Sequence, residues 1–372
     1  MLLLASIAFL FLYACLISYY RRGWKLTREF IPSLTDKRVS ISVIVAARNE
    51  EKFIRRLLSA MEQQTYPKEC YELIVIDDFS TDDTAGMIRA SQIKNLTLTQ
   101  PKVDAQQSSK KKAIEAGISI AKGELIVTTD ADCVPGPRWL ETMSAFHAET
   151  GARFIAAPVK YFHDNSLLQA FQALDFLTLQ GITAASVTTG FHAMCNGANL
   201  AYEKNAFTSV NGFEGIDGVA TGDDLLLMHK IWKQHPSQVH YLKHHDATVR
   251  TEPMTSWTAL IMQRKRWASK SFVYKDYRII ATLVSVYMFN CWFFLLIAAS
   301  LFHPVYWWTV VGFWLLKTMI EIPFVSGVAR FYGEQKLLRY FFFFQPLHVF
   351  FTVLTGLVSQ VGKYEWKGRK TK

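Results

Sequence analysis

Two kinds of hydrophobic pattern divide the chain. Residues 1–20 (MLLLASIAFLFLYACLISYY) carry no charged side chain, and a run of about 20 apolar residues crosses a bilayer core as a helix. Arg21 and Arg22 follow directly. A cleaved signal peptide would place basic residues ahead of the apolar run and small residues at its end. Neither is found, so residues 1–22 are predicted to form an N-terminal transmembrane anchor. The same pattern recurs three times toward the other end. Residues 280–301 and 340–361 are uncharged, while 306–328 hold only Lys317 and Glu321, which lie on one helical face. Unpaired charge in hydrocarbon costs several kcal/mol, so this pair is expected to face protein or a polar cavity. Neutralisation between packed helices and a path for a lipid headgroup both fit it. The pattern thus predicts a membrane region over 279–362 with two to three spans, then a basic tail at 363–372.

Residues 38–270 read differently. The segments VSISVIVAA (39–47), ELIVID (72–77) and ELIVTTD (124–130) are nearly continuous β-branched and aliphatic runs. Helical patterns at 50–64, from about 82, and at 109–121 separate them. Unbroken apolar strands alternating with helices predict an α/β fold with a mostly parallel sheet covered on both faces. Such sheets bind ligands beyond the carboxyl ends of their strands. Asn49 and Glu50, Asp77 and Asp78, and Asp130 and Asp132 fall at three of those ends. One such acid is explained by turn or cap chemistry. Three along one edge concentrate negative charge, which calls for a counter-charge. A hard divalent cation carrying a diphosphate suits the edge, because Mg²⁺ and Mn²⁺ favour carboxylate and phosphate oxygens.

The ordered series SVIVAARNEE (42–51), IDDFSTDDT (76–84), SKKKAIEAGI (109–118), TTDADC (128–133), CNGANLAY (195–202), GDDLLL (222–227) and QRKRW (263–267) resembles the family 2 inverting glycosyltransferases of GT-A fold. That family includes cellulose, chitin and hyaluronan synthases and ceramide glucosyltransferase. The resemblance implies a Rossmann-like GT-A catalytic domain over 38–270 flanked by transmembrane helices. It also implies a nucleotide-sugar donor, with UDP the expected carrier, and a Mn²⁺ or Mg²⁺ cofactor. By the same resemblance, Ala47 and Glu50 cup the base and Asp78 contacts the uridine, although Asp78 also suits a helix cap formed with Ser80 and Asp82. Lys110 stands where the family has the lysine of a Gly-Lys element, with Ser109 in place of the glycine; Lys111 and Lys112 are read as solvated. Asp130 approaches the ribose or sugar, and Asp132, with Asp130, holds the metal.

Asp224 is the implied general base, supported by Asp223, which replaces the family's usual glutamate. A Gly-Asp-Asp run also suits a helix start, where acids favour the dipole. Arg266 is implied at the diphosphate, a planar multi-donor cation, and Trp267, Gln263 and Asn199 at the acceptor. The QRKRW segment also reads as an interfacial helix with basic residues on headgroups. Residues 166–190 form a long apolar helix that either lines an acceptor groove or packs the core. His229, His235, His240, His244 and His245 match no zinc spacing and are read as surface or structural.

Charge and composition refine this picture. Half the residues are hydrophobic and the net charge is +10, but the basic clusters sit beside the apolar runs, where anionic headgroups attract them. Membrane lipids are therefore the expected partners of this charge, and nucleic acid is not. Arg21, Arg22, Lys25 and Arg28 after the first span, and Arg264, Lys265, Arg266, Lys270, Lys275 and Arg278 before the second, place the middle segment in the cytoplasm at the inner membrane. The tail, with Lys363, Lys367, Arg369, Lys370 and Lys372, would then lie outside unless one late segment, such as 340–361 with its Pro346, re-enters. Five scattered cysteines imply no disulfide framework. A nucleotidyltransferase shares the carboxylates but not the GDD–QRKRW pairing, and a silent scaffold has no need of intact acidic motifs. A lipid or saccharide acceptor and a processive polysaccharide product both remain consistent with the motifs.

Overall fold

The computed structural model describes residues 2–33, 37–164, 166–191, 194–217, 222–268, 276–359, 364–366 and 369–371. The chain groups into two compact units. One holds Met1–Leu26, His163–His192 and Pro253–Tyr364; the other holds Thr27–Phe162, Ala193–Glu252 and Glu365–Lys372. Helix α1 (Leu2–Leu26) opens the first unit. The second then runs β1 (Ile41–Ala47), α2 (Ile54–Glu62), β2 (Tyr71–Asp77), α3 (Thr84–Arg89), β3 (Leu96–Thr99) and α4 (Lys110–Ile120). It continues with β4 (Leu125–Asp130), α5 (Trp139–Thr150), β5 (Phe154–Ala156) and β6 (Val159–Tyr161). After α6 (Leu167–Thr189) in the first unit, the chain re-enters the second through β7 (Leu200–Glu203), α7 (Lys204–Ser209), α8 (Leu225–Gln234), β8 (Val239–Tyr241) and β9 (Val249–Thr251). Helices α9 (Trp257–Ala268), α10 (Tyr277–Phe302), α11 (Tyr306–Tyr332) and α12 (Leu338–Ser359) follow in the first unit.

The second unit is a seven-stranded sheet in the order β3-β2-β1-β4-β7-β5-β8. β1 pairs in parallel with β2 and β4, and β2 with β3; β7 runs antiparallel to both β4 and β5. Val43, Ile44 and Val45 of β1, Leu73, Val75 and Ile76 of β2 and Leu125, Ile126 and Val127 of β4 are all fully buried. Burial on both faces is why these strands read as unbroken apolar runs. The parallel register carries Ala47 beside Asp77, and Ala46 beside Asp130, so the carboxyl ends of β1, β2 and β4 form one edge.

Among the described residues, four helices of the first unit are long and apolar enough to cross a membrane: Leu2–Leu26, Tyr277–Phe302, Tyr306–Tyr332 and Gln335–Ser359. Pro346 is accommodated inside the continuous helix α12. Close approach rests on small residues, as in membrane helix packing. A Cβ on Gly23 would fall 2.8 Å from the Cβ of Ala185, and one on Gly181 would fall 2.4 Å from Cγ2 of Val328, so α6 lies tightly against α1 and α11. Lys317 and Glu321 are buried together. The Lys317 ammonium donates to Glu321 Oε1 (2.6 Å) and Gln345 Oε1 (2.5 Å), the Gln345 amide donates to Glu321 Oε2 (2.5 Å), and the Tyr13 hydroxyl donates to Glu321. Each charge is met from α1, α11 or α12, the arrangement expected of neutralisation between packed helices. Of the basic tail, Lys363, Lys367 and Lys372 lie outside the described residues, as do Lys270 and Lys275.

Candidate active site

The loops after β1 and β2 are locked to each other. Ala47, fully buried, accepts the Asp78 N–H through its carbonyl (2.7 Å). Asn49 and Phe79 take left-handed backbone conformations, with φ of 53° and 56°. Asparagine tolerates this region, but phenylalanine does so at a cost the surroundings must offset. Arg48 holds the turn by donating from Nη1 to the carbonyls of Asp78 (2.6 Å) and Phe79 (3.0 Å). Buried Glu50 donates its N–H to Thr84 Oγ1 (2.7 Å). The carboxylate of Asp78 accepts from the Ser108 hydroxyl, just ahead of α4. The turn-capping carboxylate is instead Asp77, which accepts the Ser80 N–H (3.1 Å) and the Gln100 amide (2.9 Å). An open depression lined by Phe79, Pro101, Lys102, Val103, Asp104 and Gln107 adjoins this turn.

Lys110 draws the acidic groups together. Its Nζ lies 2.7 Å from Asp130 Oδ1 and 3.0 Å from Asp223 Oδ2. Ser109 caps α4 by accepting the Lys112 N–H, which gives its hydroxyl a use that the family's glycine lacks. Burial by itself pulls the Lys110 ammonium down, but Asp130, Asp223 and Asp224 outweigh it and hold its pKa well above the usual lysine value. The cluster thus demands positive charge. Lys111, expected to be solvated, is buried and donates from Nζ to the Ile216 carbonyl (2.6 Å); a run of three lysines gives no sequence sign of this.

Asp224 occupies the N-cap of α8. Its Oδ1 accepts the Leu225 N–H (2.7 Å) and its Oδ2 accepts the Gly197 N–H (3.1 Å). One carboxylate therefore caps the helix and is fixed in direction beside Asp223 and Lys110. Gly197 leaves room for this approach: a Cβ there would lie 3.3 Å from Lys110 Nζ and 3.4 Å from Asp224 Cβ. A divalent ion fits the other side of the cluster. Ligand atoms of Asp130, Asp132 and Cys133 all lie within 4.8 Å of one another. Burial first, then Asp132 and Asp130, push the Cys133 thiol well above its ordinary pKa, and it sits 3.6 Å from Asp132 Oδ1. The two carboxylates are hard oxygen donors, which suit Mg²⁺ or Mn²⁺.

Asn199 is placed elsewhere. It is fully buried, donates from Nδ2 to the carbonyls of Pro158 (2.7 Å) and Ala247 (2.8 Å), and accepts from Trp139 Nε1 (3.0 Å). These bonds brace β6, α5 and the segment before β9, leaving the amide no donor for an acceptor substrate. The QRKRW residues lie on α9, in the first unit. There Arg264 donates to Asp175 of α6 and lies 4.3 Å over the Trp267 ring, while His348 Nε2 is 3.5 Å from Asp175 Oδ1. Gln263 Oε1 is buried without a hydrogen-bond partner. Of the expected residues, the structure brings together Lys110, Asp130, Asp223 and Asp224, with Asp132 alongside, and sets Ala47, Glu50 and Asp78 along the same sheet edge.

A profile described as glycosyltransferase like family 2 matches residues 38–269. The chain is 30% identical over 142 residues to the glycosyltransferase AglE of Haloferax volcanii, covering 38% of this chain and 46% of that protein. It is 28% identical over 246 residues to a beta-monoglucosyldiacylglycerol synthase of a Nostoc species, covering 64% of this chain and 50% of that one. The chain thus spans about half the length of the curated relatives it matches. Among solved structures, a mannosyltransferase of Pyrobaculum calidifontis in complex with GDP-Man and Mn²⁺ superposes with a TM-score of 0.61 at 18% identity, over 97% of this chain and 100% of that one. The shared fold is GT-A, and by the family match the chain belongs to the family 2 glycosyltransferases.

Proposed function

We propose that the chain is a membrane-held, metal-dependent inverting glycosyltransferase that moves a sugar from a nucleotide diphosphate to a lipid or saccharide acceptor. The observation that carries this reading is the Lys110–Asp130–Asp223–Asp224 cluster at the carboxyl edge of the sheet, with Asp132 beside it. Asp224 takes the acceptor hydroxyl proton as that oxygen attacks the anomeric carbon. The bond to the diphosphate breaks on the opposite face, and configuration inverts. Asp223 holds Lys110, and Lys110 steadies Asp130 toward the donor. A Mg²⁺ or Mn²⁺ held by Asp132 and Asp130 would supply Lewis-acid stabilisation to the leaving diphosphate. Ala47, Glu50 and Asp78 receive the base. The motif, rather than geometry, assigns Arg266 to the diphosphate and Gln263 and Trp267 to the acceptor. The long apolar helices support a multi-pass placement, and the arginines and lysines flanking the first two spans favour a cytoplasmic α/β unit.

UDP is the expected carrier by motif, while the Pyrobaculum structure holds GDP-Man. Similarity to the Nostoc glycolipid synthase supports a lipid acceptor. Purified protein in nanodiscs is tested against a panel of UDP- and GDP-sugars for Mn²⁺-dependent nucleotide release, with products weighed by mass spectrometry. One added mass on a lipid is expected, and a ladder would mean polymer synthesis. No turnover with any donor, from folded protein, would overturn the enzymatic reading.

A further inference from the structure

A second set of metal-type side chains lies at the opposite end of the sheet. Glu124 immediately precedes β4 and Glu203 ends β7, and the antiparallel register sets Leu125 against Glu203. The two glutamates therefore share one end of neighbouring strands. Six extended residues, about 20 Å, separate Glu124 from Asp130. His147 of α5 aims Nε2 between the glutamates, 3.7 Å from Glu124 Oε1 and 3.9 Å from Glu203 Oε1. Ligand atoms of the three lie within 4.8 Å of one another.

The proton on His147 is fixed by its other nitrogen. Nδ1 lies 3.1 Å from the Ala152 carbonyl, which can only accept, so Nδ1 carries the hydrogen. The ring is 6% exposed, and with Nδ1 on the Ala152 carbonyl it turns Nε2 toward the two carboxylates. The Nε2–carboxylate gaps are wider than the about 2.7–3.2 Å of a direct N–H···O hydrogen bond. They approach the edges of a tetrahedral zinc site, where bonds of roughly 2.0–2.1 Å set ligands about 3.3 Å apart.

The surroundings fit as well. A metal-bound histidine commonly donates its second N–H to a backbone carbonyl, as His147 does. Arg153 Nε lies 3.8 Å from Glu203 Oε2, the oxygen other than the one nearest His147 Nε2. The Glu124 backbone is fixed, its N–H donating to Ser40 Oγ (3.0 Å) and its carbonyl accepting from Lys204 (2.9 Å), while its side chain is exposed. A mixed imidazole and carboxylate set favours Zn²⁺ over the oxygen-seeking Mg²⁺. We propose that Glu124, His147 and Glu203 form a zinc site separate from the catalytic carboxylates, with a fourth position for water. The ion ties the C-terminal turn of α5 to the ends of β4 and β7, independently of what the enzyme transfers.

The test uses the full chain in detergent, stripped of metal, in an Asp130→Asn/Asp132→Asn background that disables the other site. Titration with Zn²⁺ against a chromophoric chelator is expected to give one bound ion and a Tm that rises with Zn²⁺. Adding His147→Asn, whose amide still donates to the Ala152 carbonyl, or Glu203→Gln is expected to weaken binding more than about tenfold and abolish the Tm response. Glu203→Gln serves if His147→Asn fails to fold. Absence of Zn²⁺ binding in the background protein, or an unchanged stoichiometry in the added variants, would overturn the site.

Discussion

The role of Asp224 is separable from its place in the fold, because one carboxylate caps α8 and is also the proposed base. In Asp224→Asn, the amide oxygen keeps the Leu225 N–H, while the new NH₂ faces the Gly197 N–H. One hydrogen bond is lost and two donors oppose each other, at a cost of about 1–3 kcal/mol in stability. The chemical cost is larger. A general base contributes about 10²–10⁴ in rate, or roughly 3–5.5 kcal/mol at 1.36 kcal/mol per decade. Asp224→Ser isolates the two roles, because serine is as good an N-cap as aspartate but accepts no proton. We expect Asp224→Ser to lose about as much stability as Asp224→Asn, about 1–3 kcal/mol, because it too gives up the Gly197 N–H. It should also lose at least about 10²-fold in kcat, with donor KM little changed. The assay is nucleotide release at saturating donor and acceptor, beside a thermal melt of the same preparation. If Asp224→Ser or Asp224→Asn keeps more than about a tenth of kcat, Asp224 is not the base and the cap is its whole role.

Two further outcomes follow from burial. Lys317→Met leaves Glu321 buried without its cation, which costs about 3–5 kcal/mol, whereas Lys317→Met/Glu321→Gln removes both charges and should recover most of that loss; melts of the three proteins in one detergent check this, and a double variant as unstable as the single one would contradict it. His240 and His244 have pKa values lowered chiefly by burial, so below about pH 6.5 the unfolded chain binds more protons and stability falls as pH drops. Neutral His244 also accepts the Asp246 N–H at Nδ1 (3.1 Å), which protonation would break. His244→Asn keeps an acceptor there and should flatten the Tm profile between about pH 7.5 and 5.5; an unchanged slope would refute the assignment.

How much of this was legible depended on the range of the interaction. β1, β2 and β4 could be read directly, because burial on both faces leaves an unbroken apolar run. The three-residue strands β5, β6, β8 and β9 could not, since three residues display no period. Helix α6 was readable as a helix, but not its companions. Those depend on Gly23 meeting Ala185 and Gly181 meeting Val328, contacts between segments far apart in the chain.

The site divides along the same line. Asp130, Asp132 and Asp224 stand in local motifs, and the motifs point to them. Nothing local says that Lys110 bridges Asp130 to Asp223, that Lys111 is buried on Ile216, or that Asn199 is spent bracing Trp139, Pro158 and Ala247. Gly197 makes the close approach to Lys110 and Asp224, while Asn199, two residues on, faces the core. Zinc signatures are spacings along a chain, and the five clustered histidines match none, whereas His147 meets Glu124 and Glu203 only because β4 and β7 are neighbours in the sheet. A charge in this molecule is therefore interpretable from sequence when its partner lies within a turn or two, and otherwise only once strand order is known.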